Sequence, residues 1–161
     1  MDLIGPGDME HHFVDATQAI KALSLTGQWV DLGSGAGFPG IALAAEYPAI
    51  HVTMIESRQK RATFLRQVCH QGNAQNITIQ CARTENIHGP FDGVISRAYK
   101  PPLLFLEDAL RLTKIGGLAI VMLGEHGSFP IPKEWLLQNE QVYTLPDEHG
   151  LRKRWVLERV S

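Results

Sequence analysis

Short apolar runs alternate along this chain with longer stretches whose apolar residues recur every three or four positions. The runs Gln28–Leu32, His51–Ile55, Asn76–Gln80, Gly93–Ile95 and Leu118–Leu123 are apolar or β-branched and read as strands. Ile41–Tyr47, Ser57–Gln71 and Leu103–Leu112 read as helices between them. In the second of these, Ala62, Phe64, Leu65 and Val68 fall roughly on one face, with Arg58, Lys60, Arg61 and Arg66 elsewhere, the pattern of a helix packed by one side. Pro101-Pro102 breaks the chain ahead of the third. A segment from Asp8 to about Leu23 is predicted to be helical and to pack outside the sheet. Alternating strands and helices predict parallel strands in a doubly wound sheet. After Leu123 the pattern changes. Gly124–Pro132 reads as loop, and Gln138–Leu145 and Arg154–Val160 read as strands joined by the polar turn Pro146–Gly150. With no helix between them, those two strands should pair antiparallel. The expected architecture is one α/β domain over residues 1–161, mostly parallel with a C-terminal antiparallel hairpin, and with residues 1–24 as a helical segment packed on it.

The most specific stretch is VDLGSGAGFPGIALA, Val30 to Ala44. A strand runs into an acid, then into Gly33, Gly35 and Gly37 at alternate positions. An abrupt strand-to-helix turn needs positive φ, which glycine adopts freely. Without side chains the loop amides can approach a ligand, and the helix beyond adds positive partial charge. A dinucleotide fingerprint would close as GxGxxG, but here Phe38 stands at the closing position. Asp31, at the strand end, would repel a pyrophosphate. It can instead hydrogen-bond loop amides or, directly or through water, the ammonium of S-adenosylmethionine; it reads equally well as a helix-cap or turn residue. Glu56 ends the second strand, where a carboxylate accepts hydrogen bonds from ribose hydroxyls. That spacing suits NAD and S-adenosylmethionine alike, and charge complementarity with the following helix is the competing reading. Phe38 either lines the pocket or plugs the space under the loop.

Composition narrows the classes. The 161 residues suit one domain with one sizeable core. With 44% hydrophobic and 20% charged residues the balance is that of an ordinary soluble chain, and no apolar run approaches the ~20 residues that span a bilayer. The start, MDLIGPGDMEHHF, lacks the basic and apolar blocks of a secretory signal, so a cytoplasmic protein with no membrane partner is expected. Cys69 and Cys81 are too few for a disulfide framework and read as buried small hydrophobes. A net charge of −2 excludes a uniformly basic nucleic-acid binder and confines any RNA contact to a local patch. Arg58, Lys60 and Arg61 form one such patch beside the glycine loop, and Arg152, Lys153 and Arg154 another. Both could meet phosphates, and both read as solvated charged faces. His11 and His12 are adjacent and lack metal-ligand spacing, so no metal is expected. Trp29 reads as packing, and Tyr99, beside Pro101-Pro102, as a residue able to stack on a base.

The glycine stretch, with its Phe38-Pro39-Gly40 extension, resembles the motif of the RsmG/GidB family, whose members methylate N7 of a guanosine in small-subunit (16S) ribosomal RNA. Further stretches are similar to that family's motifs: HHFVDA (His11–Ala16), ESRQKRATFLRQV (Glu56–Val68), ARTENI (Ala82–Ile87), ISRA (Ile95–Ala98), LTKIGGLAIVMLG and the terminal RKRWVLERV. The resemblance covers nearly the whole chain. It implies a class I, Rossmann-like methyltransferase fold and S-adenosylmethionine as cofactor. It places cofactor contacts at Gly33, Gly35, Glu56, Thr84, Glu85 and Arg97. Asp31, Ser34, Phe38 and Ser57 are further candidate cofactor contacts and Arg97 the candidate catalytic residue. Ribosomal RNA or the small subunit is the expected partner, and a monomer is expected. Three differences accompany the resemblance: Ala16-Thr17 stands for Ser-Leu, Leu123 for a lysine, and the chain starts close to a helix that family members precede with a further segment. N7 of guanine carries a free lone pair at neutral pH, so positioning and electrostatics rather than a general base would carry the chemistry. Arg97 could orient the base through its O6/N7 edge or hold a phosphate, or lie in a salt bridge with Asp31 or Glu56. The alternatives are a catalytically degenerate domain that binds cofactor or RNA, a methyltransferase for another substrate and, last, an NAD oxidoreductase.

Overall fold

The computed structural model describes residues 6–145 and 150–161. Its strands are β1 (Gln28–Leu32), β2 (His51–Ile55), β3 (Ile77–Gln80), β4 (Phe91–Ser96), β5 (Thr113–Gly124), β6 (Trp135–Thr144) and β7 (Leu151–Arg159). Its helices are α1 (Pro6–Ile20), α2 (Gly40–Glu46), α3 (Gln59–Gln71) and α4 (Pro102–Leu112), with a 3-10 turn at Thr84–Asn86. The strands form one sheet in the order β3-β2-β1-β4-β5-β7-β6. β1 to β5 pair in parallel, and β7 lies antiparallel between β5 and β6. This is the expected layout.

Pleating divides the sheet's side chains between two cores. Trp29, Val52, Met54, Ile95, Ile120 and Val156 pack under α1, α2 and α3, through residues such as Ile20, Leu43 and Leu65. Val30, Leu32, Val94, Ala119, Val121 and Leu157 pack under α4, through Phe105, Leu106, Ala109 and Leu112. Trp29 is the packing residue expected. It lies across Gly93, where an added Cβ would sit 2.4 Å from the indole.

Boundaries shift where local chemistry intervenes. α3 starts at Gln59 rather than Ser57, because the Glu56 carboxylate takes the Arg58 amide at 2.8 Å and holds the chain extended there. β5 begins at Thr113, directly after α4, and its register to β4 slips between Phe91 and Gly93. Gly116, at φ +79°, lies within that irregular stretch. β6 and β7 each begin three residues earlier than predicted, since Trp135↔Arg159 and Thr144↔Leu151 close both ends of their ladder. Of the expected turn, Pro146–His149 lies outside the described residues.

α1 is tied to the sheet by polar contacts as well as by buried Ala16, Ala19 and Ile20. The Tyr143 hydroxyl donates to Asp15 Oδ1 at 2.7 Å. Arg154 donates to the Ala19 and Lys21 carbonyls, each at 2.8 Å, and to Asn139 Oδ1 at 3.1 Å. This corrects the reading of Arg154 as part of a solvated or RNA-facing cluster: it is 2% exposed and satisfies carbonyls at the end of α1. Its neighbour Lys153 lies 3.7 Å from Glu140 and over the Trp155 ring. The cysteines also differ from expectation, both being partly exposed rather than buried.

Candidate active-site cleft

The chain runs from β1 outward through β2 and β3, then returns to place β4 on the other side of β1. At such a reversal the loops leaving the carboxyl ends diverge and leave a crevice. A cleft of about 530 Å³ lies there, walled by the ends of four parallel strands. Gly33 follows β1; Ile55 ends β2, and Glu56, Ser57, Arg58 and Arg61 follow it; Ala82–Glu85 follow β3; and Ala98, Tyr99 and Lys100 follow β4.

The glycine loop has the conformation its composition called for. Gly33, Gly35 and Gly37 have φ of +69°, +54° and +107°, values that cost other residues strain. Ser34 is buried and turns its hydroxyl inward to the Asp31 carbonyl at 3.2 Å. Phe38 is the plug rather than a pocket wall: it is 9% exposed and meets Phe13 of α1 edge-on at 6.0 Å between centroids.

Asp31 is completely buried. Its Oδ2 accepts the Gly40 amide at 3.0 Å, a bond of the kind its amide-binding reading named, while Pro39 stands at the cap position of α2. Oδ1 has no hydrogen-bond partner. Burial pushes this carboxyl up from 3.8 to about 7; the nearby Ser34 hydroxyl, the Gly40 amide and the charge of Arg97 oppose the rise, and Glu56 adds to it. A buried, half-satisfied carboxylate beside amide-rich loops fits a cationic group such as an ammonium.

Glu56 is 5% exposed and ties two walls together, Oε2 accepting the Gly35 amide at 3.1 Å and Oε1 the Arg58 amide at 2.8 Å. Each oxygen keeps a second lone pair, so the carboxylate can still accept ribose hydroxyls. Thr84 is buried and Glu85 exposed in the turn beyond β3. These features (the orphaned Asp31 oxygen, the side-chain-free loop and the spare lone pairs of Glu56) fit an adenosyl amino acid.

Arg97 does not pair with Glu56 or bond to Asp31, the partners its salt-bridge reading named. Its Nη1 contacts His12 Nδ1 and lies 4.0 Å from Asp15 Oδ2. Burial lowers its pKa, while Asp15 and Asp31 act to keep it charged. It stands beside the cleft, between α1 and the end of β1, rather than in the cleft wall.

Two residues that sequence reasoning missed brace the cleft from α4. Asp108 accepts from Lys100 Nζ at 2.7 Å and from the Tyr99 hydroxyl at 3.2 Å, and that bond to Asp108 is the main reason the Lys100 pKa rises. Arg111, 3.7 Å from Asp108, donates to the carbonyls of Thr84 and Ile87. Their i,i+3 spacing was the available signal. Leu123, buried, stands opposite Lys153 across the β5–β7 ladder. Among the described residues there is no cluster able to hold a metal, and no helix long and apolar enough to cross a membrane.

The sequence pattern described as GidB, rRNA small subunit methyltransferase G, matches residues 6–146. A ribosomal RNA small subunit methyltransferase G of Pseudomonas putida (strain GB-1) is 31% identical over 161 residues, spanning 96% of this chain and 74% of the relative. Among solved structures the chain is similar to TrmN from Thermus thermophilus, with a TM-score of 0.70 and 18% identity over 90% of this chain and 48% of that one. It is also similar to M. jannaschii TYW2 in complex with AdoMet, with a TM-score of 0.70 and 16% identity over 94% of this chain and 77% of that one. At these identities the structures show the fold, which is that of the class I methyltransferases.

Proposed function

Because the chain belongs to the GidB family, the rRNA small subunit methyltransferase G proteins, we propose that it moves the methyl group of S-adenosylmethionine to N7 of a guanosine in small-subunit ribosomal RNA. It is an S-adenosylmethionine-dependent methyltransferase. The observation that carries the cofactor side is Asp31, buried beside the glycine loop with one oxygen unpartnered. In this reading Asp31 faces the cofactor's ammonium, with Gly33, Ser34 and Gly35 forming the loop around its amino-acid end and Phe38 wedged beneath. Glu56, with Ser57 beside it, accepts the ribose hydroxyls, and Thr84 and Glu85 flank the adenine. Arg97, steadied by His12 and Asp15, donates to O6 of the guanine. The bound cofactor supplies an electrophilic methyl group.

With the cofactor bound, the guanine N7 lone pair would take the methyl group and the C–S pair would stay with sulfur. No proton leaves before attack, so the chain's task is to align the base, exclude water and complement charge. A single chain as the working unit is part of this reading, and a ribosomal RNA substrate supports a cytoplasmic site of action. The test is to incubate the protein with methyl-labelled cofactor and small-subunit RNA, naked or in assembled subunits, from a strain lacking the protein. Nuclease digestion should release labelled N7-methylguanosine. Cofactor binding with no label in either RNA form would refute the reading.

A further inference from the structure

Among the described residues, Tyr99 is the one aromatic in the wall of the cleft. A Cβ at Gly33 would lie 2.7 Å from its Cδ2, so the glycine is also what lets the ring settle against the loop. Two contacts hold the side chain, and a third ties their partners together. Its hydroxyl donates to Asp108, Lys100 Nζ lies 4.9 Å from the ring centroid, and the same ammonium is ion-paired to Asp108 at 2.7 Å. The loop carrying it enters α4 through Pro101 and Pro102, and Ala98 sits at φ +53°. A loop so braced fixes an aromatic surface beside the glycine loop, with Arg58, Arg61 and Arg83 also lining the cleft.

We propose that Tyr99 is the platform on which the target purine stacks, and that Asp108 and Lys100 are positioning residues that hold it. The proposal rests on the methyl-transfer reading above and deepens it by naming the base-recognition surface. A base taken out of an RNA stack loses its neighbours, and a fixed aromatic face replaces them. The chemistry adds a second reason. As N7 forms its bond to the methyl carbon and the C–S electron pair goes to sulfur, the sulfonium becomes a neutral thioether and the positive charge passes to the purine. The electron-rich face of a phenol whose hydroxyl donates to a carboxylate interacts more favourably with that cationic purine than with the neutral one. Lys100, paired to Asp108, offsets only part of this gain.

The experiment has two arms. In the first, ligand-observed NMR compares 7-methylguanosine 5′-monophosphate with GMP. The wild type should favour the methylated nucleotide by about 3- to 30-fold, and Tyr99→Leu should lose that preference. In the second, methyl transfer to small-subunit RNA by Tyr99→Leu should fall roughly 10- to 100-fold in kcat/KM, while its affinity for S-adenosylmethionine stays within about threefold of wild type. Tyr99→Phe, which keeps the ring and loses the Asp108 bond, should keep the nucleotide preference and lose only part of the transfer rate, and it guards against misfolding. A wild type that does not discriminate, or a Tyr99→Leu protein that keeps its transfer rate or loses cofactor affinity in step with it, overturns the platform. Nucleotide preference lost in Tyr99→Leu, but no transfer by the wild type to any RNA, keeps the platform and refutes the reading beneath it.

Discussion

Replacing Asp31 by asparagine should remove a pH dependence of stability that the structure places at one buried atom. Asp31 is fully buried, one oxygen is bonded to the Gly40 amide and the other has no partner. Its carboxyl titrates at about 7 in the fold against 3.8 in the open chain. Between those values the folded protein holds a proton that the unfolded chain has released. Stability therefore falls as pH rises through that window, and the loss is complete above about 7. At about 1.4 kcal/mol per pH unit the interval corresponds to at most about 4.5 kcal/mol. Asparagine cannot ionise, so its stability should lack this descent while sharing every other titration. Urea unfolding of both proteins between about pH 4.5 and about pH 8 measures the difference directly. The wild type should lose several kcal/mol relative to Asp31→Asn across the range. Curves that run parallel within about 0.5 kcal/mol would refute the argument that burial dominates this carboxyl. S-adenosylmethionine should stabilise the wild type more as the carboxylate forms, and should show no such trend with Asp31→Asn.

Glu56→Ala removes the acceptor for the Gly35 and Arg58 amides as well as the ribose contact, so calorimetry should find cofactor affinity reduced by about 1–3 kcal/mol; unchanged affinity contradicts the assignment. Arg154→Met leaves the carbonyls of Ala19 and Lys21 without their donor and should cost about 2–4 kcal/mol in denaturant unfolding, whereas a loss below about 0.5 kcal/mol would mean that α1 is held by its apolar face alone. Gly33→Ala meets both a φ of +69° and the Tyr99 ring at 2.7 Å. It should destabilise by about 1–2 kcal/mol and weaken S-adenosylmethionine binding at least tenfold; normal binding would show that Tyr99 moves aside freely.

Residues whose role depends on their immediate neighbours were legible without coordinates. The GxGxG turn after β1 and the acid ending β2 are set by local backbone requirements, and the structure finds both at the cleft. Trp29 was readable as packing for the same reason, since it opens the strand run that continues through Val30 and Leu32. Arg97 was not, because its two candidate partners in the sequence motifs lose to His12 and Asp15, more than 80 residues away and brought there only when α1 docks. Arg154 sits between Lys153 and Trp155 in a run that looks solvated, and only the antiparallel insertion of β7 beneath the end of α1 turns it inward. Asp108 and Arg111 carried no motif, and their importance follows from which loops α4 lies against.

By itself, then, the amino-acid order determined where strands and helices alternate, which turn needed glycine and which acids end the first two strands, because hydrophobic period and backbone freedom are near-neighbour properties. The tertiary structure decided which charges meet, which carboxyl keeps its proton and which aromatic ring faces the cleft. Those outcomes depend on desolvation and on the order of strands in the sheet, and neither exists until distant segments pack.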